Sequence, residues 1–224
     1  MKKYAVIVAG GTGSRMGAAV PKQFLLLQGR PVLWYSINTF LAAYTDLPVM
    51  VVVPAAHREA AEAVVRMTEA PQRVRLVEGG ETRFHSVRNG LEGVERESVV
   101  GVHDGVRCLA SVELVRRCYE QAERLGSAVP VIDCKDSVRW TEGEGSRPLD
   151  RSRVKLVQTP QTFWSGLLLD AFASVVDGGA FTDEATVVEA AGHAVRLVEG
   201  EAGNIKITLP ADLVYAERMI KGDV

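Results

Sequence analysis

A chain of 224 residues, 47% hydrophobic and 24% charged, is long enough to bury the core of one α/β domain. Its net charge of −2 excludes a global field for nucleic acid or an anionic membrane, so any anion site must be a local cluster of cations. No apolar run reaches the ~18 residues of a membrane span, and the odd set Cys108, Cys118 and Cys134 is too widely spaced for C-x-x-C chemistry, pointing to a reducing, cytoplasmic setting.

Two lysines precede the first apolar stretch, 5–9, which is shorter than a secretory h-region. Residues 4–9 read instead as a buried strand ended by glycine. A helix is predicted over 31–44, with Pro31 suited to its first turn, then a strand over 48–53 and an alanine-rich helix over 55–68. A strand at 73–77, a helix at 82–93 and a strand at 98–103 follow. Ser111 caps a helix to about 125, and 128–132 is a fifth strand. Alternation of strands and helices with few hairpin signals predicts a three-layer α/β/α domain around a mostly parallel, Rossmann-like sheet.

The rhythm breaks over 133–159. This polar stretch has a turn at Glu142-Gly143-Glu144-Gly145 and β-type flanks at 137–141 and 154–157, which predicts a protruding β-arm on a single domain spanning 1–224. Helices near 166–176 and 183–191, strands near 194–198 and 205–208, and a closing helix from about 211 complete the chain. Repeats, low-complexity stretches and interdomain linkers are missing.

The loop after the first strand, Ala9-Gly10-Gly11-Thr12-Gly13-Ser14-Arg15-Met16-Gly17, can bring backbone N–H groups close to an anion. Without Gly-Lys-Ser/Thr it is not a P-loop, and Met16 stands where a dinucleotide fingerprint needs its third glycine. Arg15 and Lys22 add cations beside the glycines, a combination suited to a triphosphate.

This loop, followed by Pro21-Lys22 and Gly29-x-Pro31-x-Leu33, resembles the signature of the sugar- and polyol-phosphate nucleotidyltransferases. Later motifs narrow the resemblance: Gly79-Gly80-Glu81-Thr82-Arg83 with Ser86-Val87, His103-Asp104-Gly105-Val106-Arg107, Asp136-Ser137, Asp150-Arg151, Thr159-Pro160-Gln161, Thr182-Asp183-Glu184 and Gly203-Asn204-Ile205-Lys206-Ile207-Thr208. In order, across nearly the whole chain, they are similar to those of the 2-C-methyl-D-erythritol 4-phosphate cytidylyltransferases of the non-mevalonate isoprenoid pathway.

The resemblance implies transfer of CMP from CTP to methylerythritol phosphate, with release of pyrophosphate. The nucleophile is then a phosphate-monoester oxygen, whose second pKa of about 6 leaves it ionised at neutral pH without a general base. Catalysis reduces to positioning and charge stabilisation. By resemblance Arg15 and Lys22 bind the triphosphate and stabilise the transition state. Ala9, Gly10, Gly11, Gly13, Gly80, Glu81, Arg83 and Ser86 bind CTP. Asp104, Arg107, Ser137, Arg151 and Lys206 receive the acceptor, with Arg151 and Lys206 counted among the catalytic groups. Mg²⁺ is implied as a triphosphate partner held mainly by phosphate oxygens, with Asp104 its candidate protein ligand. A homodimer is implied through exchange of arms.

This chain departs from the family at Gly105, Val106 and Cys108, where Asp-Ala-Ala-Arg-Pro is commoner, and at Ser137, where threonine is usual. His103 reads as packing or backbone support, and Thr182-Asp183-Glu184 as a helix cap with first-turn acids. His57, His85, His193 and the cysteines lack zinc-ligand spacing. The competing functions are a ribitol 5-phosphate cytidylyltransferase and a non-catalytic nucleotide-binding domain. The Asp150-Arg151 and Asn204–Thr208 segments favour methylerythritol phosphate over ribitol phosphate.

Overall fold

The computed structural model describes residues 1–11, 20–175 and 181–222. Its first strand, β1 (Lys2–Val8), is followed by a small hairpin, β2 (Leu26–Leu27) and β3 (Arg30–Pro31), and by α1 (Val32–Ala43). The hairpin was not anticipated. Gln28 and Gly29 close it with φ of 45° and 76°, the backbone a two-residue turn requires.

Next come β4 (Val49–Val53), α2 (Arg58–Arg66), β5 (Val74–Glu78), α3 (Arg83–Gly90), β6 (Ser98–Asp104) and α4 (Val112–Leu125). Their ends follow the predicted chemistry. Thr82 and Ser111 accept from the backbone N–H groups of His85 and Leu114 at the starts of α3 and α4, and Gly126 ends α4 at φ 85°.

The next strand is β7 (Ser127–Asp133). The arm is the hairpin β8 (Val138–Glu142) and β9 (Gly145–Leu149), closed by Gly143 and Glu144. The predicted second flank, 154–157, does not pair within the arm. As β10 (Lys155–Val157) it pairs with β7 in the main sheet, Lys155 opposite Asp133, and those two side chains form an ion pair. The two-residue turn closes the hairpin at once, which leaves residues 150–157 as a return path.

Residues Gln161–Trp164 form β11, which the sequence reading missed. Four residues with a buried Gln and Thr give no apolar run, yet β11 pairs antiparallel with both β6 and β7. Then come α5 (Ser165–Ser174), α6 (Glu184–Ala190), β12 (Leu197–Glu199) and α7 (Pro210–Lys221). The strand expected at 205–208 is not formed. That segment is joined to the fold by single contacts such as Ile207 N–H to Val106 O at 3.0 Å.

Strands β5, β4, β1, β6, β7 and β12 run parallel, with β10 and β11 opposed to them. Period-two alternation divides the core. Ala5, Ile7, Val49 and Val51 face α1, α2 and α4. Tyr4, Val6, Met50 and Val52 face α3, α5 and α6. The order in which successive strands are added reverses between β1 and β6, and in such sheets the crevice at the carboxyl ends of the strands there is where ligands bind.

Candidate active site

The carboxyl ends of β1, β4, β5 and β6 open into one cleft. Among the described residues it is lined by Ala9, Gly10 and Gly11 after β1, Gly80, Glu81, Arg83 and Ser86 around the start of α3, and Lys22, Asp104 and Lys206. The structure therefore brings together nearly all the residues expected to bind CTP, along with two of the expected cations. Gly13 and Arg15 lie outside the described residues.

The glycine turns are shaped by close packing. A Cβ on Gly80 would meet His85 Cβ at 2.4 Å, and the Ser86 hydroxyl accepts from Gly80 N–H at 3.1 Å. The β5–α3 turn is thus drawn onto the first turn of α3 and presents bare backbone to the cleft. On the opposite wall Gln23, wholly buried, donates from Nε2 to Ala9 O at 2.8 Å, tying the turn that carries Lys22 to the end of β1. Lys22 is itself buried and donates to Ile207 O at 2.8 Å.

Asp104 is the electrostatic centre. Its carboxylate lies 3.0 Å from Lys206 Nζ and 3.4 Å from both the Arg83 and Arg107 guanidinium groups. Burial pushes its carboxyl upward, but Arg83, then Lys206 and Arg107, outweigh burial and hold it well below the usual carboxylate range. Arg83 also grips Glu184 with both terminal nitrogens, at 2.5 and 3.1 Å. Burial pushes the Glu184 carboxyl up and Arg83 opposes this. For Arg83 the two carboxylates outweigh burial and raise the guanidinium further. The bidentate contact favours the ionised form of the pair.

Arg107, expected at a phosphate, sits beside the cleft. It is not among the lining residues of the cleft; besides Asp104, it donates from Nη1 to Asn204 O at 2.8 Å. It thereby tethers the segment that carries Lys206. Gln158 strengthens that tether, donating to Glu201 O at 2.7 Å and accepting from Glu201 N–H at 3.1 Å, while Asn204 Nδ2 donates to Thr159 O at 2.9 Å.

His103 is a support, as expected. It is fully buried against Phe40, and burial pulls its imidazole down to about 4. Its Nε2 lies against Arg107 O, which can only accept, so Nδ1 is the acceptor and takes the Thr159 hydroxyl proton at 3.0 Å, while Asp104 N–H donates to Thr159 Oγ1 at 3.0 Å. The neutral Nε2–H tautomer then points at Arg107 O, 3.3 Å away.

Two expected residues stand apart. Ser137 and Arg151 are exposed on or beside the arm, where Arg151 Nη1 donates to Lys135 O at 2.7 Å, and neither lines the cleft. Gln23, Gln158, Thr159 and Asn204 have roles here that the sequence does not announce. The motifs containing Thr159 and Asn204 were visible, but their function is mutual bonding between segments far apart in the chain.

A family model for 2-C-methyl-D-erythritol 4-phosphate cytidylyltransferase, IspD, matches residues 4–222. The chain belongs to the IspD family. A relative of that name from Phocaeicola vulgatus is 44% identical over 220 residues, covering 98% of this chain and all of the relative. The crystal structure of the 2-C-methyl-D-erythritol 4-phosphate cytidylyltransferase of Thermus thermophilus is 38% identical, with a TM-score of 0.77, over 99% of this chain and all of that one. A 4-diphosphocytidyl-2C-methyl-D-erythritol synthase structure from Anaerococcus prevotii superposes with a TM-score of 0.85 at 25% identity, covering 98% and 96% of the two chains. The IspD match thus spans both the glycine turns and the Lys206 segment, which meet in the cleft.

Proposed function

We propose that this protein transfers CMP from CTP to 2-C-methyl-D-erythritol 4-phosphate, giving 4-diphosphocytidyl-2-C-methyl-D-erythritol and pyrophosphate on the route to isoprenoid precursors. The observation that carries the reading is one cleft joining backbone-lined turns at 9–11 and 80–81 to Lys22, Asp104 and Lys206, in a chain of the IspD family. The relatives' names favour the methylerythritol substrate over ribitol 5-phosphate.

An acceptor phosphate oxygen attacks the α-phosphorus of CTP, forming one P–O bond as the bond to the pyrophosphate oxygen breaks. In this reading the turns at 9–11 and 80–86 hold the nucleoside, and Lys22, with Arg15, neutralises the triphosphate. Lys206 draws the acceptor phosphate in line. Mg²⁺ would supply further charge neutralisation on the triphosphate. The donor set fits an ion bound mainly by phosphate and water, since Asp104 is the acidic residue lining the cleft beside Glu81 and three cations already surround it. Asp104 is the residue that would hold it.

The arm supports a homodimer. Trp140 on it is 53% exposed, and an isolated two-stranded hairpin is marginal in water. A second copy would cover it and carry Ser137 and Arg151 to the partner's acceptor site. Operation in the cytoplasm is consistent with three unpaired cysteines. Among the described residues no helix is long and apolar enough to cross a membrane.

The test is pyrophosphate release from purified protein with Mg²⁺, CTP and either acceptor. Release with methylerythritol phosphate, falling at least about a hundredfold in Lys22→Ala, supports the reading. Release only with ribitol 5-phosphate overturns the substrate, and no release with either overturns the activity. Sedimentation of an active monomer would overturn the dimer.

A further inference from the structure

The Thr182-Asp183-Glu184 motif does more than start a helix. Asp183 does cap α6, accepting from Thr186 N–H at 3.0 Å. Gln161, buried in the central strand β11, grips the same end. Its Nε2 donates to Asp183 at 2.9 Å and its Oε1 accepts from Ala185 N–H at 2.8 Å. The residue between, Glu184, is therefore fixed to the middle of the sheet. Only 1% of its side chain is exposed, and both its oxygens meet Arg83.

Arg83 is the first residue of α3, and its other contacts run to Asp104 Oδ1 through Nε and Nη2, each at 3.4 Å. The contacts to Glu184 are the shorter set. Asp104 Oδ2, on the other side, meets Lys206 at 3.0 Å and Arg107 at 3.4 Å. Two carboxylates and three cations thus form one chain, with Arg83 shared between its anions.

We infer that Glu184 is a positioning residue which, by holding Arg83, leaves Asp104 free to anchor Lys206 over the cleft. With Glu184 neutral, the whole charge of Arg83 falls on Asp104, in a site where water screens little. Arg83 closes on Asp104 and competes with Lys206, whose amine lies toward solvent at 44% exposure. The amine then loses its fixed placement for the acceptor phosphate. Among the described residues lining the cleft, Glu184 hydrogen-bonds to Arg83, which follows the turn at 80–82.

The kinetic consequence rests on the proposed cytidylyltransferase reading; the ion-pair chain does not. The test compares wild type, Glu184→Gln, Asp104→Asn, the double variant and, as control, exposed Glu189→Gln. Each is assayed for turnover against both substrates and for melting temperature. Glu184→Gln should raise the acceptor KM or lower kcat by about tenfold or more. In the Asp104→Asn background the same change should cost less than about threefold, because the residue through which it acts is gone. The melting-temperature losses of the two single changes should likewise fail to add. Glu189→Gln should match wild type.

An equal kinetic cost in both backgrounds, with additive melting shifts, would overturn the inference and leave Glu184 as a structural ion pair. Should Glu184→Gln not fold, Glu184→Asp carries the same comparison. The shorter carboxylate retains the charge but reaches Arg83 less well, so a smaller acceptor-side loss is expected and an unchanged acceptor KM and kcat would overturn the idea. If wild type releases no pyrophosphate, the activity reading fails by itself. The melting comparison still decides whether Glu184 and Asp104 are coupled.

Discussion

Two glycine-to-alanine changes separate packing from ligand access in the cleft. At Gly80 a new methyl carbon would lie 2.4 Å from His85 Cβ, 3.1 Å from its carbonyl carbon and 3.3 Å from its Cα. Two of those atoms are helix backbone, so a rotamer change cannot relieve the clash, and the first turn of α3 must retreat by about 1 Å. That movement also breaks the Ser86–Gly80 contacts at 3.1 and 3.4 Å. An overpacking cost of about 1–3 kcal/mol follows, which in a domain of this size lowers Tm by about 2–4 °C per kcal/mol. At Gly10 the nearest atom to a new Cβ is Pro54 Cδ at 3.9 Å, an ordinary contact. Stability there should stay within about 0.5 kcal/mol of wild type, while the methyl occupies backbone surface facing the nucleotide. Thermal unfolding with and without CTP, together with the CTP KM, measures both. Gly80→Ala should lose stability and raise the CTP KM; Gly10→Ala should raise only the CTP KM. A Gly80→Ala protein with wild-type Tm, or a Gly10→Ala protein with wild-type CTP KM, would refute the reasoning.

Burial lowers His103 from 6.5 to about 4, so between those values the unfolded chain binds a proton that the folded chain does not. The stability His103 contributes is complete above pH 6.5 and is lost as pH falls to 4, about 3 kcal/mol in all. Urea unfolding across this range should show a shallower pH slope in His103→Asn than in wild type; equal slopes would count against it. Gln158→Ala should loosen the tether at Glu201 and Asn204 and raise the acceptor KM about tenfold with little change in the CTP KM, read by steady-state kinetics. Burial pushes the Cys108 and Cys118 thiols up to about 12, whereas Cys134 is half-buried. Iodoacetamide at pH 8 should therefore alkylate Cys134 alone, as intact mass would report.

Apart from the β2–β3 hairpin, the alternating strands and helices as far as β7 were legible because most bury a continuous apolar run or a helical stripe, and β5, only partly buried, still carries Val74, Leu76 and Val77. β11 was not, since Gln161 is buried to hydrogen-bond the start of α6 and Thr162 lies within the antiparallel pairing, and neither produces an apolar pattern. The segment at 205–208 misled in the opposite sense: alternating apolar residues suggested a strand, but its place is set by Gln158, Arg107 and Lys22. At the site, the ordered motifs and the family resemblance they carry were enough to name Lys22, Asp104, Arg107 and Lys206. They could not show which charges meet. Arg83 and Arg107 turn out to be held by carboxylates and carbonyls, and Glu184 looked like any acid at a helix start. Pairings between residues as distant in sequence as Arg83 and Glu184 leave no local signal.

The antiparallel pairing of Lys155 with Asp133 also bears on how this architecture can diversify. Residues on facing strands lie about 5 Å apart, so the excursion over 134–154 departs from and rejoins the domain at neighbouring points. Everything between can be lengthened, trimmed or exchanged without rethreading a strand. The arm is therefore a cassette plugged into the nucleotide-handling body. The turns at 9–11 and 80–86 lie outside that segment, so exchanging it would leave them untouched.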